Sequence, residues 1–471
     1  MKRPITAVVV CLCLVLAGCG GGGSPGDGPE VTAAAATDSG ESDAAVSRMT
    51  VDDELGVEDH VEATAELDIT PSDGLTDREL EDVLDRTMAR VELIRGLEFT
   101  GSVDIRVVSR ENFRGGAPDR SLPPRGERVE RQQYEALFAV GENTSYAEAY
   151  RELSGSSLLG FYDSRADEIV LVSDTENPTV NTRTLAHELV HALQARHFER
   201  TVTEGFDRNY ALRGLREGDA RYVERLYAER CDTEWSCLPV PDDGGGDGVD
   251  TDTDDDNEID YERRLLPIFY QPYAEGTDFV HELYERGGWE AVNAAYDDPP
   301  TTTEQTTHPE TYPTETAVRV READRSGEEW WPLPGADNRT LGELGVYATL
   351  LNTGYVSFEN FTQRDGPYAP QTYAVEASTG WAGDTLVAYT DSDRDGYVWR
   401  LRWDTTADAR EFAAAYREGL ERQGARSVGN DTYVIPDGPF ADAFVVTRDG
   451  DTVVVTNAPT VEDVKQIRAS E

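Results

Sequence analysis

Thr184-Leu185-Ala186-His187-Glu188-Leu189-Val190-His191-Ala192-Leu193-Gln194 is the stretch on which the reading of this chain turns. On a helix, residues four apart are separated by about 40° around the axis and about 6 Å along it. His187 and His191 therefore project from one face toward one point, the arrangement in which two imidazoles share a metal ion. Glu188 stands beside that point, where its carboxylate can hold and deprotonate a water. Leu185, Leu189, Ala192 and Leu193 give the helix an apolar side that seats it on a core and fixes the direction of both rings. Only six histidines occur in 471 residues, so two of them four apart around a glutamate are hard to ascribe to chance.

Working outward, the segment before the motif reads as a hairpin. Leu158–Tyr162 and Glu168–Val172 flank an Asp163-Ser164-Arg165 turn, and the helix that follows spans Val180 to His197. Further upstream, Thr76 with Glu79 makes a capping box ahead of Leu80, Val83, Leu84, Met88, Val91 and Ile94 at helical spacing. Val103–Val108 alternates as a strand, and helices are expected at Arg128–Val140 and Tyr146–Leu153. Downstream, helices are expected from Leu212 to Arg230 and from Tyr261 to Ala295, with Pro299–Glu315 irregular. From about Thr340 the pattern becomes a small α+β module. It holds a helix, strands at Asp384–Thr390 and Tyr397–Trp403, a helix at Ala407–Gln423, and strands near Tyr433, Phe444–Thr447 and Thr452–Thr456.

With these residues in view, the sequence resembles the gluzincin class of zinc metallopeptidases. It looks like exported surface lipoproteins of halophilic archaea that carry an HExxH-Ala-Leu-Gln helix and a later Glu-Gly-x-Ala helix. The matching residues are His187, Glu188 and His191, then Leu215-Arg216-Glu217-Gly218-Asp219-Ala220-Arg221-Tyr222, within a local match from Leu158 to Glu229. The segment Pro299 to Tyr312 resembles part of the same proteins. The resemblance implies one Zn2+ per chain, with Glu217 as third ligand and Glu188 as general base. Twenty-five residues separate His191 from Glu217, longer than in the familiar members.

His197 competes with Glu217, because it follows His187 by ten residues, the metzincin spacing. Metzincins break their helix with a glycine before the third histidine, whereas Gln194 occupies that position here. If the helix continues, His197 lies about 15 Å along the axis from His187 and out of reach. Glu217, on a separate helix with Gly218 beside it, meets no such obstacle. His308, in a polar loop, is read either as a donor to the oxyanion of a tetrahedral intermediate or as a cap or surface residue. His281 reads as structural, and His60 carries no signal.

The chain begins with Lys2-Arg3, an apolar run from Ile5 to Leu16 too short to span a bilayer, and Leu16-Ala17-Gly18-Cys19, which resembles a lipobox. An ordinary cleaved signal peptide is the plainer alternative. Cys19 would carry lipid, and an acidic, flexible stretch to about Ser72 would tether the protein outside the cell. Cys11 and Cys13 leave with the signal. Cys231 and Cys237 remain, and in an exported protein they suggest one local disulfide, with free thiols as the alternative. The net charge is −49, and Lys2 and Lys465 are the only lysines. Such a balance suits molar salt, where a Debye length of about 3 Å screens self-repulsion, and it excludes nucleic acid as a partner. Nine per cent aromatic residues leave enough apolar bulk for a core.

Three weaker kinds of signal complete the reading. Asp242–Glu258 is an acidic loop for which calcium binding is conceivable, and Asp391–Gly396 mimics half an EF-hand but reads as a turn because Arg402 stands at its twelfth position. Sequons occur at Asn143, Asn338, Asn360 and Asn430.

The expectation is therefore an α+β protein. Residues 1–18 are a lipoprotein signal, 19–72 a tether, 73–335 a zincin-like metallopeptidase domain (a mixed sheet with the HExxH helix and a Glu-bearing second helix) and 336–471 an α+β module. It would hydrolyse peptide bonds in protein or peptide substrates on the outer face of the membrane. The rivals are an idle zinc-binding envelope protein and a solute-binding lipoprotein with a coincidental HExxH.

Overall fold

The computed structural model describes residues 55–468 apart from 71–73, 110, 114–121, 143, 155–159, 176, 241–260, 334–338, 363–367 and 369–370. Strands β1 (Val57–Glu58) and β2 (Val61–Glu62) form a short antiparallel hairpin ahead of helix α1 (Asp77–Arg95). The Thr76–Glu79 capping box starts α1, and Gly96, at φ 69°, ends it in the left-handed conformation. The hairpin lies on α1: the Gly56 N–H donates to Glu92 Oε2 at 2.8 Å, and Arg90 Nε donates to the Ala63 carbonyl at 2.8 Å. Ordered chain thus begins before residue 73, where composition placed the end of the tether. The polar stretch concealed this because it is anchored by main-chain groups on buried charges rather than by an apolar face. The lipobox with Cys19 and the acidic loop Asp242–Glu258 lie outside the described residues.

Next come β3 (Asp104–Val108), α2 (Pro124–Ala136), α3 (Tyr146–Ser154), β4 (Gly160–Asp163), β5 (Glu168–Val172), α4 (Thr182–His197), α5 (Phe206–Thr233) and α6 (Tyr261–Asp297). The three strands form a mixed sheet in the order β3-β5-β4, with β3 parallel and β4 antiparallel to the central β5. Ile105, Tyr162 and Ile169 of this sheet share one core with Leu84 and Val91 of α1 and with Leu185, Leu189 and Leu193 of α4. Leu189 is fully enclosed, and truncating such a leucine to alanine costs about 2–5 kcal/mol. The histidine helix is therefore held on its apolar side by α1 and the sheet.

Helix α5 starts at Phe206, six residues before the expected Leu212, because Phe206 and Tyr210 are buried on either side of polar residues that interrupt the period. Its last turn is tied by the Cys231–Cys237 disulfide. Helix α6 is interrupted at Gly287 and Gly288, the latter at φ 65°, so two helical segments run end to end. Helices α5 and α6 cross with glycine against glycine. A Cβ on Gly218 would overlap the Gly276 carbonyl, and one on Gly276 would overlap the backbone of Gly214.

The remainder is α7 (Thr303–Thr307), β6 (Trp331–Pro332), α8 (Gly342–Asn352), α9 (Phe358–Phe361), β7 (Trp381–Thr390), β8 (Asp395–Trp403), α10 (Thr406–Arg422), β9 (Arg426–Gly429), β10 (Thr432–Val434), β11 (Ala443–Asp449), β12 (Thr452–Ala458) and α11 (Val461–Ile467). Seven strands form an antiparallel sheet in the order β6-β7-β8-β12-β11-β10-β9. Strand alternation divides its side chains. Trp399, Leu401 and Trp403 join Phe412 and Tyr416 of α10, while Val398 and Val454 join Val464 and Ile467 of α11. Asp391–Arg394 is the turn of the β7–β8 hairpin, as expected.

The first of these cores also takes in Tyr134, Phe138, Phe206, Leu265 and Phe269, so the carboxy-terminal sheet shares apolar interior with what precedes it. The sheet begins at Trp331, just ahead of the expected boundary at 336. The architecture is α+β, and among the described residues no helix is long and apolar enough to cross a membrane. Asn360 and Asn430 are exposed, and Asn143 and Asn338 lie outside the described residues.

Candidate metal centre

Helix α4 opens with Asn181, whose side chain accepts from the Arg183 N–H at 3.0 Å, and it continues unbroken to His197. His187 and His191 therefore share one face, with ring centroids 5.0 Å apart. Helix α5 passes over that face and lowers Glu217 between them. Glu217 Oε2 lies 3.5 Å from His187 Nε2 and 3.4 Å from His191 Nε2. All three residues are buried, and these three atoms make no hydrogen bond. His187, His191 and Glu217 form one of two groups among the described residues with ligand atoms close enough to hold one metal ion.

The donor set fits zinc. A tetrahedral ion with bonds of about 2.0–2.1 Å sets its ligand atoms about 3.3–3.4 Å apart, close to the spacing found here. Charge agrees with geometry. Burial pushes both imidazoles down, but the Glu217 and Glu224 carboxylates outweigh it at His187, whose pKa rises to about 10. At His191 Glu217 likewise outweighs burial. Burial raises the Glu217 carboxyl, and the two imidazoles overcome this and hold it well below the usual carboxylate range. These shifts keep negative charge on Glu217 beside the two rings, which favours a cation at this point.

The outer contacts fix which ring nitrogen faces the point of convergence. Gln194 Nε2 donates to the Arg216 carbonyl at 2.9 Å and to Asp219 Oδ2 at 3.3 Å, so its Oε1 is turned to His191 Nδ1, 3.0 Å away. His191 must then carry its proton on Nδ1, leaving the Nε2 lone pair for a metal. Asp219 is itself held by the buried Arg95 guanidinium at 2.9 Å and by the Tyr296 hydroxyl at 2.7 Å. Glu224, two turns beyond Glu217 on α5, faces His187 Nδ1 at 3.5 Å and puts a second carboxylate beside that ring. Tyr273 of α6 stacks on His187 with centroids 6.1 Å apart.

Glu188 is buried beside the trio. Its Oε2 accepts the Tyr162 N–H at 3.0 Å, and its Oε1 has no partner. Burial raises its pKa, opposed first by His187 and His191. The donating N–H belongs to β4, the edge strand, rather than to the central β5 that sequence spacing set before the helix. Arg213, one turn before Glu217, has its guanidinium 5.3 Å from the centre of the Tyr210 ring and makes no hydrogen bond or ion pair among the described residues.

Three other histidines are placed elsewhere. His197 Nε2 lies 2.7 Å from the Glu98 carbonyl at the exposed end of α4, as an unbroken helix requires. His308 is not brought to the cluster. Helix α7 ends there, and the ring meets Glu343 Oε1 of α8 at 3.2 Å and Glu310 at 3.9 Å, which makes His308 an ion-pair residue between loop and helix. His281 contacts the Tyr222 hydroxyl at 3.3 Å and the Tyr368 ring, a packing role. Gln194 and Glu224 escaped sequence reasoning, though each repeats the face of a ligand, at three residues from His191 and seven from Glu217.

A family model described as a domain of unknown function (DUF8575) matches residues 332–468. That region is the seven-stranded sheet with its helices and contains none of the cluster residues. The chain matches no curated protein and no solved structure.

Proposed function

We propose that this protein is a zinc-dependent hydrolase of peptide bonds, with a zincin-like arrangement in its first part. One observation carries the reading: three buried ligand atoms without a hydrogen bond converge beside a glutamate with one oxygen anchored and the other without a partner. His187, His191 and Glu217 would hold the ion, and zinc so held supplies Lewis acidity toward water and toward a carbonyl oxygen. Glu188 Oε1 accepts the proton of the attacking water, and the Tyr162 N–H prevents the carboxylate from turning away. Its raised pKa suits a group that must take a proton and then give it to the leaving amine. Strand β4 favours an extended peptide as substrate. It is the edge of its sheet, and its outward rim faces Glu188, so a chain laid along it finds main-chain partners beside the base. The lipobox pattern at Cys19 supports display outside the cell from a lipid anchor.

The test is Glu188→Gln. Zinc content should stay at the wild-type level while cleavage of a casein-type substrate in molar salt falls by about two orders of magnitude or more, because ligation and proton transfer fall to different residues. Unchanged turnover removes the hydrolase reading.

A further inference from the structure

Far from the histidines, three carboxylates meet where the carboxy-terminal sheet joins the preceding chain. Glu135 is at the end of α2, Glu142 in the loop after it, and Asp442 immediately before β11. One oxygen from each lies within 4.8 Å of the others. Glu135 and Asp442 are 4% and 3% exposed, and among the described residues none of the three forms an ion pair. The cation that acts on the group is Arg131, through Glu142.

Two enclosed amides are turned into the cluster. Asn457 of β12, fully buried, donates from Nδ2 to Asp442 Oδ2 at 2.7 Å, and its Oδ1 has no partner. Gln132 of α2, 3% exposed, donates from Nε2 to Glu135 Oε2 at 2.7 Å, and its Oε1 has none either. Glu142 Oε1 and Asp442 Oδ1 are likewise buried without a donor. The site thus presents oxygen acceptors in excess of donors, in a place where an unpaired carboxylate is costly.

We propose that Glu135, Glu142 and Asp442 bind one hard divalent cation, calcium by preference, which pins the carboxy-terminal sheet to the rest of the chain. An all-oxygen set selects calcium or magnesium over zinc. Calcium is preferred because an enclosed set of protein oxygens suits an ion that sheds its waters readily, whereas magnesium keeps several of its own.

The experiment uses the full folded chain in molar sodium chloride, stripped of metal and then given one equivalent of zinc. Calcium chloride is titrated while bound calcium is read by equilibrium dialysis and Tm by circular dichroism. Wild type should bind one calcium per chain and gain a few degrees in Tm. Asp442→Asn should weaken calcium binding at least about tenfold, by removing one ligand charge, while keeping its zinc. Glu142→Gln, at the half-buried member, serves if Asp442→Asn does not fold. A wild type that binds no calcium overturns the proposal, as does equal binding by wild type and variant. A more stable Asp442→Asn that ignores calcium also overturns it, because the cluster would then be acids sharing protons. Zinc content is read separately, so failure here leaves the histidine centre untouched.

Discussion

Gly218→Ala tests whether the α5–α6 crossing sets the position of Glu217. A Cβ at residue 218 would penetrate the Gly276 carbonyl and stand 3.0 Å from its Cα. Ordinary carbon–carbon contact is about 3.5–4.0 Å, so the helices must separate by about 0.5–1 Å there, and further to clear the carbonyl. Alanine gains about 1 kcal/mol in helix propensity over glycine, while forced overpacking against backbone costs about 1–3 kcal/mol or more. The net expectation is a loss of roughly 1–2 kcal/mol by chemical denaturation. The larger effect falls on the neighbour. Glu217 Oε2 is 3.4 and 3.5 Å from the two imidazoles, and moving its helix by about 0.5–1 Å spoils that match, lowering zinc affinity about tenfold or more in a chelator competition. Gly101→Ala is the control, because a Cβ there meets nothing within 4 Å, and it should change stability by less than about 0.5 kcal/mol. A Gly218→Ala protein with wild-type zinc affinity and stability would refute the reasoning.

The same competition should rank three further variants. Glu217→Ala should lose most of the affinity, Gln194→Ala about 10–100-fold through loss of tautomer control, and His197→Ala almost nothing, since its ring bonds the Glu98 carbonyl. A larger loss for His197→Ala than for Glu217→Ala would reverse the ligand assignment. Stability should also fall as pH rises from about 5 to 9. Burial raises Asp384 to about 6, Asp207 to about 7 and Glu304 to about 9, and the Glu343 carboxylate holds His308 up to about 9. The unfolded chain releases the carboxyl protons near pH 4 and the imidazole proton near 6.5, so the folded state binds more protons throughout this window. Denaturant titrations at fixed molar salt read the slope, which Asp207→Asn should flatten. A stability that rises toward pH 9 contradicts the assignment.

Much of the site was legible because it obeys local periodicity. The α4 motif, the Thr76–Glu79 box and strand β5 rest on spacing or capping within one element, and each stands where the sequence puts it. What remained hidden depends on partners distant in sequence. Arg90 and Arg95 fall outside the apolar spacing of α1, yet both are buried, and Arg95 is paired with Asp219, 124 residues away. The glycine contact between α5 and α6 leaves no apolar signature, since backbone meets backbone. The contacts of His308 were hidden for a related reason. A histidine in a polar loop carries no directional information until the loop is folded, and α7 turns it toward α8. The hairpin at 57–62 was hidden by its own polarity, its anchor being main-chain hydrogen bonds to Arg90 and Glu92.

The claim that His187, His191 and Glu217 form a single metal centre is tested most directly by zinc stoichiometry. The protein would be purified in molar salt, dialysed against a moderate chelator and analysed by elemental mass spectrometry beside Glu217→Ala. The account predicts one zinc per chain in the wild type and far less than one in the variant. A wild type that carries no zinc and takes up none when it is supplied would contradict it.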